Sequence, residues 1–295
     1  MFGFAMVFKH PIGSLAYFLL SLAILSLWCN RKIWIWGPLF ILSYTCAYYG
    51  SIATIKALIP IGILLISILS LTQKMPPLVR LFILLFTIIL SLALFTHFSL
   101  GFTNLEFVHH WQKSATSSPM NLYLNFDKGA AALLILAFLV PLIKTRKEWQ
   151  ILLFSAIPWA LLSCCVLLGL AYLMQLIRFE PKIPTIALFW LLRQIFFVVI
   201  PEEALFRGLI QKELTKSFPH SAAAPLALII TSLIYATIHL LMIPSLSFFV
   251  ITFAAAILYG SIYQMTNKIE SAIFTHLMVN LIHFFFFTYP IAIAT

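Results

Sequence analysis

Two adjacent carboxylates at the end of an apolar run are the residues of this chain best suited to chemistry. Glu202 and Glu203 follow the run Ile183–Ile200, which is long enough to cross a bilayer. A carboxylate at the bilayer centre costs about 2.5–3.5 kcal/mol on insertion scales, and ionisable side chains within a membrane are candidate functional groups. The pair therefore predicts a functional site more strongly than a packing role.

The helical period gives the two carboxylates different neighbours. Glu203 and Arg207 are four residues apart and share a face, which favours an ion pair, and Arg193 falls on roughly the same side. Glu202 points about 100° away and has no cation within its own helix. Pro201 has no N–H, which predicts a kink at this point. The alternative is an ordinary helix end with two solvated acids and an arginine.

A histidine lies on the polar side of the next apolar span, Ser221–Leu241. His239, Tyr235 and Ser232 are spaced one helical turn apart and share one face. For a lone histidine, a hydrogen bond to a neighbouring carbonyl is the simpler interpretation. A nearby carboxylate would favour proton transfer instead.

The last span, Ser271–Thr288, carries His276, Asn280 and His283 on one face. The alternative interpretation is a polar seam that joins helices. A carboxylate, imidazoles and an amide on three successive spans, however, supply a base, a second proton-handling group and oxyanion donors. Activation of a water molecule needs this set of groups.

The composition identifies a polytopic membrane protein. The 295 residues are 63% hydrophobic and 9% charged, whereas a soluble domain is about one quarter charged. The formal net charge of +10 comes from basic residues that mostly lie between apolar runs, where they orient helices rather than bind nucleic acid. The four cysteines form no CxxC motif and lie in or beside apolar runs, so neither a disulfide framework nor a cysteine zinc site is indicated.

The apolar runs predict an all-α transmembrane bundle of about ten spans, with nine as the alternative count. The first is interpreted as a retained helix rather than a signal peptide, because it is long and lacks a cleavage site. The predicted spans are Pro11–Trp28, Ile33–Ala53, Ala57–Thr72, Leu78–Leu100, Gly129–Ile143, Gln150–Ile177, Ile183–Ile200, Ser221–Leu241, Ser245–Met265 and Ser271–Thr288.

A long polar stretch at residues 101–128 interrupts the spans. Glu106, His109 and His110 could share a helical face as potential ligands. An interfacial loop with solvated histidines is the favoured interpretation, and loops of this length often cover a site.

The basic residues predict sidedness. One set of short loops is the richer in lysine and arginine and is expected in the cytoplasm, with both termini outside and the glutamates toward the cytoplasmic face. That set is Arg31, Lys32, Lys74, Arg80, Lys144, Arg146, Lys147, Lys212, Lys216 and Lys268; the other is Lys9, Lys56, Lys113, Lys128, Arg178 and Lys182. We expect a multi-pass integral protein of a bacterial inner (plasma) membrane.

Three motifs give the chain a family resemblance. They are EExxxR at Glu202–Arg207, FxxxH at Tyr235–His239 with tyrosine in place of phenylalanine, and HxxxN at His276–Asn280. In this order and within apolar helices, the chain resembles the CPBP family of intramembrane proteases, relatives of the type II CAAX prenyl protease. The resemblance covers about Ile183 to Pro290, roughly a third of the chain.

The resemblance implies hydrolysis of a peptide bond in or beside the membrane. By position, it implies that Glu202 activates water with help from His239, and that His276 and Asn280 donate to the oxyanion. Glu203 and Arg207 would fix the helix end. The chain has no HExxH motif; glutamate and two histidines could ligate zinc, but a glutamate serving as ligand is hard to use as base. Metal-free catalysis is therefore favoured.

The predicted organisation is an N-terminal helical region, residues 1–182, and a CPBP-like catalytic membrane domain, residues 183–295, whose site lies within its four helices. The expected partners are a membrane-associated protein or leader peptide as substrate, and the lipid bilayer. Two other functions stay open. One is a proton-coupled carrier that uses Glu202, His239 and His276 as a relay; the other is an inactive scaffold or immunity factor.

Overall fold

The computed structural model describes residues 10–217 and 222–293, which fold into ten helices and one β-hairpin. The helices are α1 (Pro11–Cys29), α2 (Ile33–Tyr49), α3 (Leu58–Leu71), α4 (Pro77–Phe95), α5 (Phe126–Phe138), α6 (Arg146–Leu173), α7 (residues 187–217), α8 (Ala223–Met242), α9 (Leu246–Thr266) and α10 (Ile269–Phe286). The strands are β1 (Leu105–Trp111) and β2 (Met120–Leu124). The predicted polytopic helical bundle is confirmed, with a small sheet added.

Six of these described helices, α1, α4, α6, α8, α9 and α10, are long and apolar enough to cross a membrane. The count of about ten spans therefore stays a prediction, as does the sidedness that depends on it. Lys9 and Ser221, which the sequence places in a loop and at the start of a span, lie outside the described residues.

Local signals in the sequence define several helix ends. Pro11 and Pro77 each occupy the first turn of a helix, where the missing N–H costs no hydrogen bond. Thr145 and Glu148 form a reciprocal capping box at the start of α6. Asn267 ends α9 in the left-handed conformation, with φ of 52°. These caps fix where the long C-terminal helices begin and end.

Helix α5 is short and buried on all sides. It has 13 residues, too few to cross about 30 Å of hydrocarbon, and its side chains pack against α1, α3, α4 and α7. The predicted span Gly129–Ile143 is thus an interior helix that begins three residues earlier and ends at Phe138. Burial on every face explains why its sequence looks like a membrane span. The first turn of α5 brings Lys128 toward α7.

Helices from both predicted domains share one core. The largest apolar cluster includes residues of α1 and α10, and α7 packs on α5 as well as on α8 and α10. Helix α6, which precedes the boundary at 182, packs against α9 and α10. The division into residues 1–182 and 183–295 stays a prediction about the sequence, and the packing continues across it.

The polar stretch 101–128 folds into an antiparallel hairpin with Leu105 opposite Leu124. The shared helical face for Glu106, His109 and His110 is wrong, because these residues lie on strand β1. Both histidines are exposed, as the loop interpretation predicted, and His109 Nδ1 lies 2.8 Å from Glu106 Oε1.

The connection between the two strands is fastened to the C-terminal end of the chain. Lys113 Nζ donates to the carbonyl oxygens of Glu180, at 2.9 Å, and Phe287, at 2.5 Å. The hydroxyls of Ser114 and Thr116 donate to Glu180 Oε2 at 2.8 and 2.5 Å. We call Lys113, Ser114, Thr116, Glu180 and Phe287 the clasp. It holds the connection between the strands against the segment that follows α6 and the residue that follows α10.

Candidate active site

Helix α7 changes its winding on both sides of the two glutamates. Residues Ile195–Val199 and Ala204–Gln211 are π-helical and flank one α-helical turn, Ile200–Glu203. Pro201 within that turn cannot donate a backbone hydrogen bond, which weakens the α-helical ladder there. π-Helical turns are frequent at functional sites. The sequence predicts a kink at Pro201, and the structure has a π-helical segment on each side of the turn that contains it.

The π-helical turn also corrects one prediction. Arg193 lines the same cavity as Glu202, whereas Glu203 and Arg207 do not line it. An α-helical wheel placed Arg193 with Glu203, but a π-turn contains more residues than an α-turn and rotates everything before it.

Glu202 faces helix α8. Its Oε2 accepts a hydrogen bond from the Tyr235 hydroxyl at 3.1 Å and lies 4.0 Å from His239 Nε2, which is too long for a direct hydrogen bond. His239 Nδ1 lies 2.9 Å from the carbonyl of Tyr235, and the two rings stack with centroids 4.1 Å apart. The carbonyl bond predicted for a lone histidine is present, and it turns Nε2 toward the carboxylate.

Glu203 faces helix α10 instead. Its Oε1 lies 2.8 Å from His276 Nδ1, and its Oε2 lies 3.1 Å from Arg207 Nε. The predicted ion pair with Arg207 is confirmed by this distance and is wholly buried, although its angles do not make a hydrogen bond. Arg207 Nη2 donates to the carbonyl of Ala256 in α9 at 3.0 Å. The two carboxylates thus have the different environments that the helical period predicted.

The imidazole of His276 is held in orientation from two directions. Its ring stacks on that of Tyr259 in α9, with centroids 4.6 Å apart and planes 16° apart, while Nδ1 contacts Glu203. The guanidinium carbon of Arg207 lies 5.7 Å from the centre of the Tyr259 ring. With Nδ1 engaged, Nε2 is the nitrogen of His276 that is free for other contacts.

A cavity of about 670 Å³ unites the side chains of the three motifs. Glu202, His239, His276 and Asn280 all line it. Tyr235 of the second motif also lines it, as does His283, whose Nε2 lies 3.1 Å from the carbonyl of Thr288. Ser232 is buried and does not line the cavity. The structure therefore places acid, imidazole and amide groups in one space large enough for water and a peptide segment.

Several cavity residues come from parts of the chain that the motifs do not cover. Strand β2 and the residues that follow it contribute Met120, Asn121, Tyr123 and Asn125, so the polar stretch does cover the site. Lys128 of α5 and Tyr259 of α9 also line the cavity. No sequence pattern links these residues to the motifs, because only tertiary packing brings them together.

No three His, Cys, Asp or Glu side chains converge in a metal-binding arrangement in residues 10–217 and 222–293.

The comparisons with known proteins give one family match, in the C-terminal part of the chain. No curated protein and no solved structure matches the chain significantly. Residues 184–282 match the model of the family described as Type II CAAX prenyl endopeptidase Rce1-like, and the resemblance drawn from the three motifs is thereby confirmed for this third of the chain.

Proposed function

We propose that the protein is an intramembrane endopeptidase that hydrolyses a peptide bond of a membrane-associated protein or leader peptide. The observation that carries this proposal is the placement of Glu202 Oε2 and His239 Nε2 4.0 Å apart, on the wall of a cavity shared with His276 and Asn280. The family match, which describes an endopeptidase, supports the same reaction class. The proposed location is a bacterial inner (plasma) membrane.

In the proposed mechanism, a water molecule binds between Glu202 and His239. Glu202 removes a proton from the water as its oxygen attacks the scissile carbonyl carbon. His276, through Nε2, and the side-chain amide of Asn280 donate hydrogen bonds to the oxyanion of the tetrahedral intermediate. The C–N bond then breaks, and the proton taken up by Glu202 passes to the leaving amine.

The supporting residues hold this arrangement in place. The Tyr235 hydroxyl donates to Glu202, which keeps the carboxylate directed toward α8. Glu203 and Arg207 lie behind the cavity and orient His276 rather than contact the substrate. We propose metal-free catalysis, because a glutamate that serves as the base is not readily available as a ligand as well.

The decisive test replaces Glu202 with glutamine, which keeps the shape and removes the base. Membrane and secreted peptides from cells carrying the wild-type protein or Glu202→Gln are compared by mass spectrometry. We expect uncleaved precursors to accumulate with Glu202→Gln, at normal protein levels, and processing to persist with Glu106→Gln, a change in the hairpin. Full processing by Glu202→Gln would overturn the mechanism. Loss of transport with no cleavage in any sample would favour the proton-coupled carrier.

A further inference from the structure

Two basic side chains, Lys128 and Arg193, line the cavity outside the three motifs. Lys128 lies in the first turn of α5, and Arg193 lies nine residues before Glu202 in α7. Glu202 is the one carboxylate among the described residues that line this cavity. The cavity wall therefore carries two basic side chains and one carboxylate, in a region where low dielectric strengthens electrostatic interactions.

The ammonium group of Lys128 has no ionic partner at hydrogen-bonding distance within the part of the chain that the structure describes. Its Nζ makes no hydrogen bond or ion pair with any side chain in residues 10–217 and 222–293, and it lies 5.8 Å from the centre of the Phe95 ring. The neighbouring carboxylate of Asp127 is wholly buried and already occupied. Its Oδ2 contacts His97 and Asn104 at 2.8 and 3.0 Å, and its Oδ1 accepts the backbone N–H of Lys128. Asp127 is thus unavailable as a direct partner for the ammonium group.

Arg193 is fixed by uncharged groups. Its Nε donates to the carbonyl of Tyr123 in β2 at 2.8 Å, and its Nη1 donates to Gln194 Oε1 at 3.1 Å. These contacts hold the guanidinium in one orientation, and among the described residues no carboxylate lies at contact distance from it. Lys128 and Arg193 line the same cavity, and like charges that share a region of low dielectric repel each other. An anion between them would relieve that repulsion.

We propose that Lys128 and Arg193 form a subsite that binds a carboxylate of the substrate peptide. This inference rests on the proposed function, since it assigns a substrate feature to the same cavity. The carboxylate belongs either to an acidic side chain or to the peptide C-terminus, because the two groups have the same chemistry. Charge-assisted hydrogen bonds from lysine and a pre-oriented arginine match such a group.

The test uses lipid-anchored synthetic peptides of apolar sequence and the purified protein reconstituted in lipid vesicles. One glutamate is placed at each position in turn, with a glutamine peptide as its match. Every peptide is made with a free and with an amidated C-terminus, which separates the two sources of the carboxylate. We expect cleavage, followed by mass spectrometry, to favour one carboxylate-bearing arrangement over its neutral match by about tenfold or more.

Variants that change the charge of Lys128 test whether this residue forms the subsite. Lys128→Met should collapse the preference for the carboxylate peptide, and Lys128→Glu should reverse it toward a peptide with lysine at the same position. Lys147→Met removes an exposed lysine that does not line the cavity and should leave the preference intact. Equal cleavage of carboxylate and neutral peptides by the wild-type protein would overturn the proposal. A preference unchanged in Lys128→Met would also overturn it.

A binding experiment separates failure of the subsite from failure of the proposed function. Fluorescent versions of the peptides are titrated into vesicles containing Glu202→Gln, and polarisation reports binding without any cleavage. Tighter binding of the carboxylate peptide that depends on Lys128, with no cleavage by the wild type, would retain the subsite and reject the endopeptidase. Cleavage by the wild type, with binding of the carboxylate peptide that does not depend on Lys128, would retain the endopeptidase and reject the subsite.

Discussion

Glu203 Oε1 lies 2.8 Å from His276 Nδ1, and this contact joins the first motif, on α7, to the third motif, on α10.

That contact, at 2.8 Å, is made in the interior of the bundle, where both side chains are buried. It couples the helix that carries the proposed base to the helix that carries the proposed oxyanion donors. Arg207 on the other side of the carboxylate completes a buried row of three charged or polar groups.

This buried row predicts that Glu203 matters for stability while Glu202 does not. Glu203→Gln leaves Arg207 buried without its counter-charge, and loss of one partner of a buried pair costs about 3–5 kcal/mol. We expect Glu203→Gln to lower the thermal unfolding midpoint of the purified protein in detergent, and Glu202→Gln to leave it close to the wild-type value.

A double substitution checks the cause. Removing both charges, in Glu203→Gln with Arg207→Met, should recover part of the lost stability, because no uncompensated charge then remains. If the double variant is as unstable as the sum of the single variants, the two charges do not interact as the structure indicates.

Tyr259 is expected to position His276 without touching the reacting atoms. Tyr259→Leu removes the ring that stacks on His276. The imidazole then keeps its contact with Glu203 through Nδ1 but is free to tilt, so Nε2 loses its fixed direction. We expect kcat to fall by between about tenfold and a hundredfold with a much smaller change in KM, since misplacement of a catalytic group by about 1 Å has effects of this size. Steady-state kinetics on a cleaved peptide measures both constants.

Two further variants separate positioning from general packing. Tyr259→Phe keeps the ring and should restore most of kcat. Tyr263→Leu removes a ring of the same size one turn later in α9, where it packs against the core and does not line the cavity. A loss of kcat in Tyr263→Leu as large as that in Tyr259→Leu would assign the effect to packing of α9 rather than to His276.

The sequence predicted the motif residues but not the walls that surround them. Spacing on helices is sufficient to place Glu202 and Glu203 on different sides and to put His276 and Asn280 on one face, because both follow from the helical period. Lys128 could not be found in this way. It enters the cavity because α5 is buried among four other helices, and that packing is a tertiary property.

Two errors have the same physical origin. The wheel that grouped Arg193 with Glu203 assumed one uniform helix, whereas π-helical turns interrupt α7. The polar stretch was expected to be a loop, whereas it forms a hairpin in which Phe107 and Leu122 are buried. Both outcomes depend on what the segment packs against, and the spacing of residues within the segment does not predict this packing.

The clasp is expected to weaken at acidic pH, which makes the hairpin more mobile. Burial raises the pKa of Glu180, but hydrogen bonds from Thr116 and Ser114 and the charges of Lys113 and Lys182 outweigh it and lower the pKa below its ordinary value of 4.5. A depressed carboxyl pKa contributes stability that is present above the ordinary value and is lost as the pH falls through the folded value. We therefore expect the fastening of residues 112–119 to be retained at neutral pH and to weaken below about pH 4.5.

Hydrogen exchange read out by mass spectrometry measures this fastening, with rates corrected for the intrinsic effect of pH. Protection of the segment between β1 and β2 should fall in acid in the wild type. In Glu180→Gln it should be low already at neutral pH and change little on acidification, because the carboxylate that accepts from Ser114 and Thr116 is absent. Glu106→Gln alters an exposed pair within β1 and should keep the wild-type profile. Equal acid sensitivity in the wild type and Glu180→Gln would show that another group controls the hairpin.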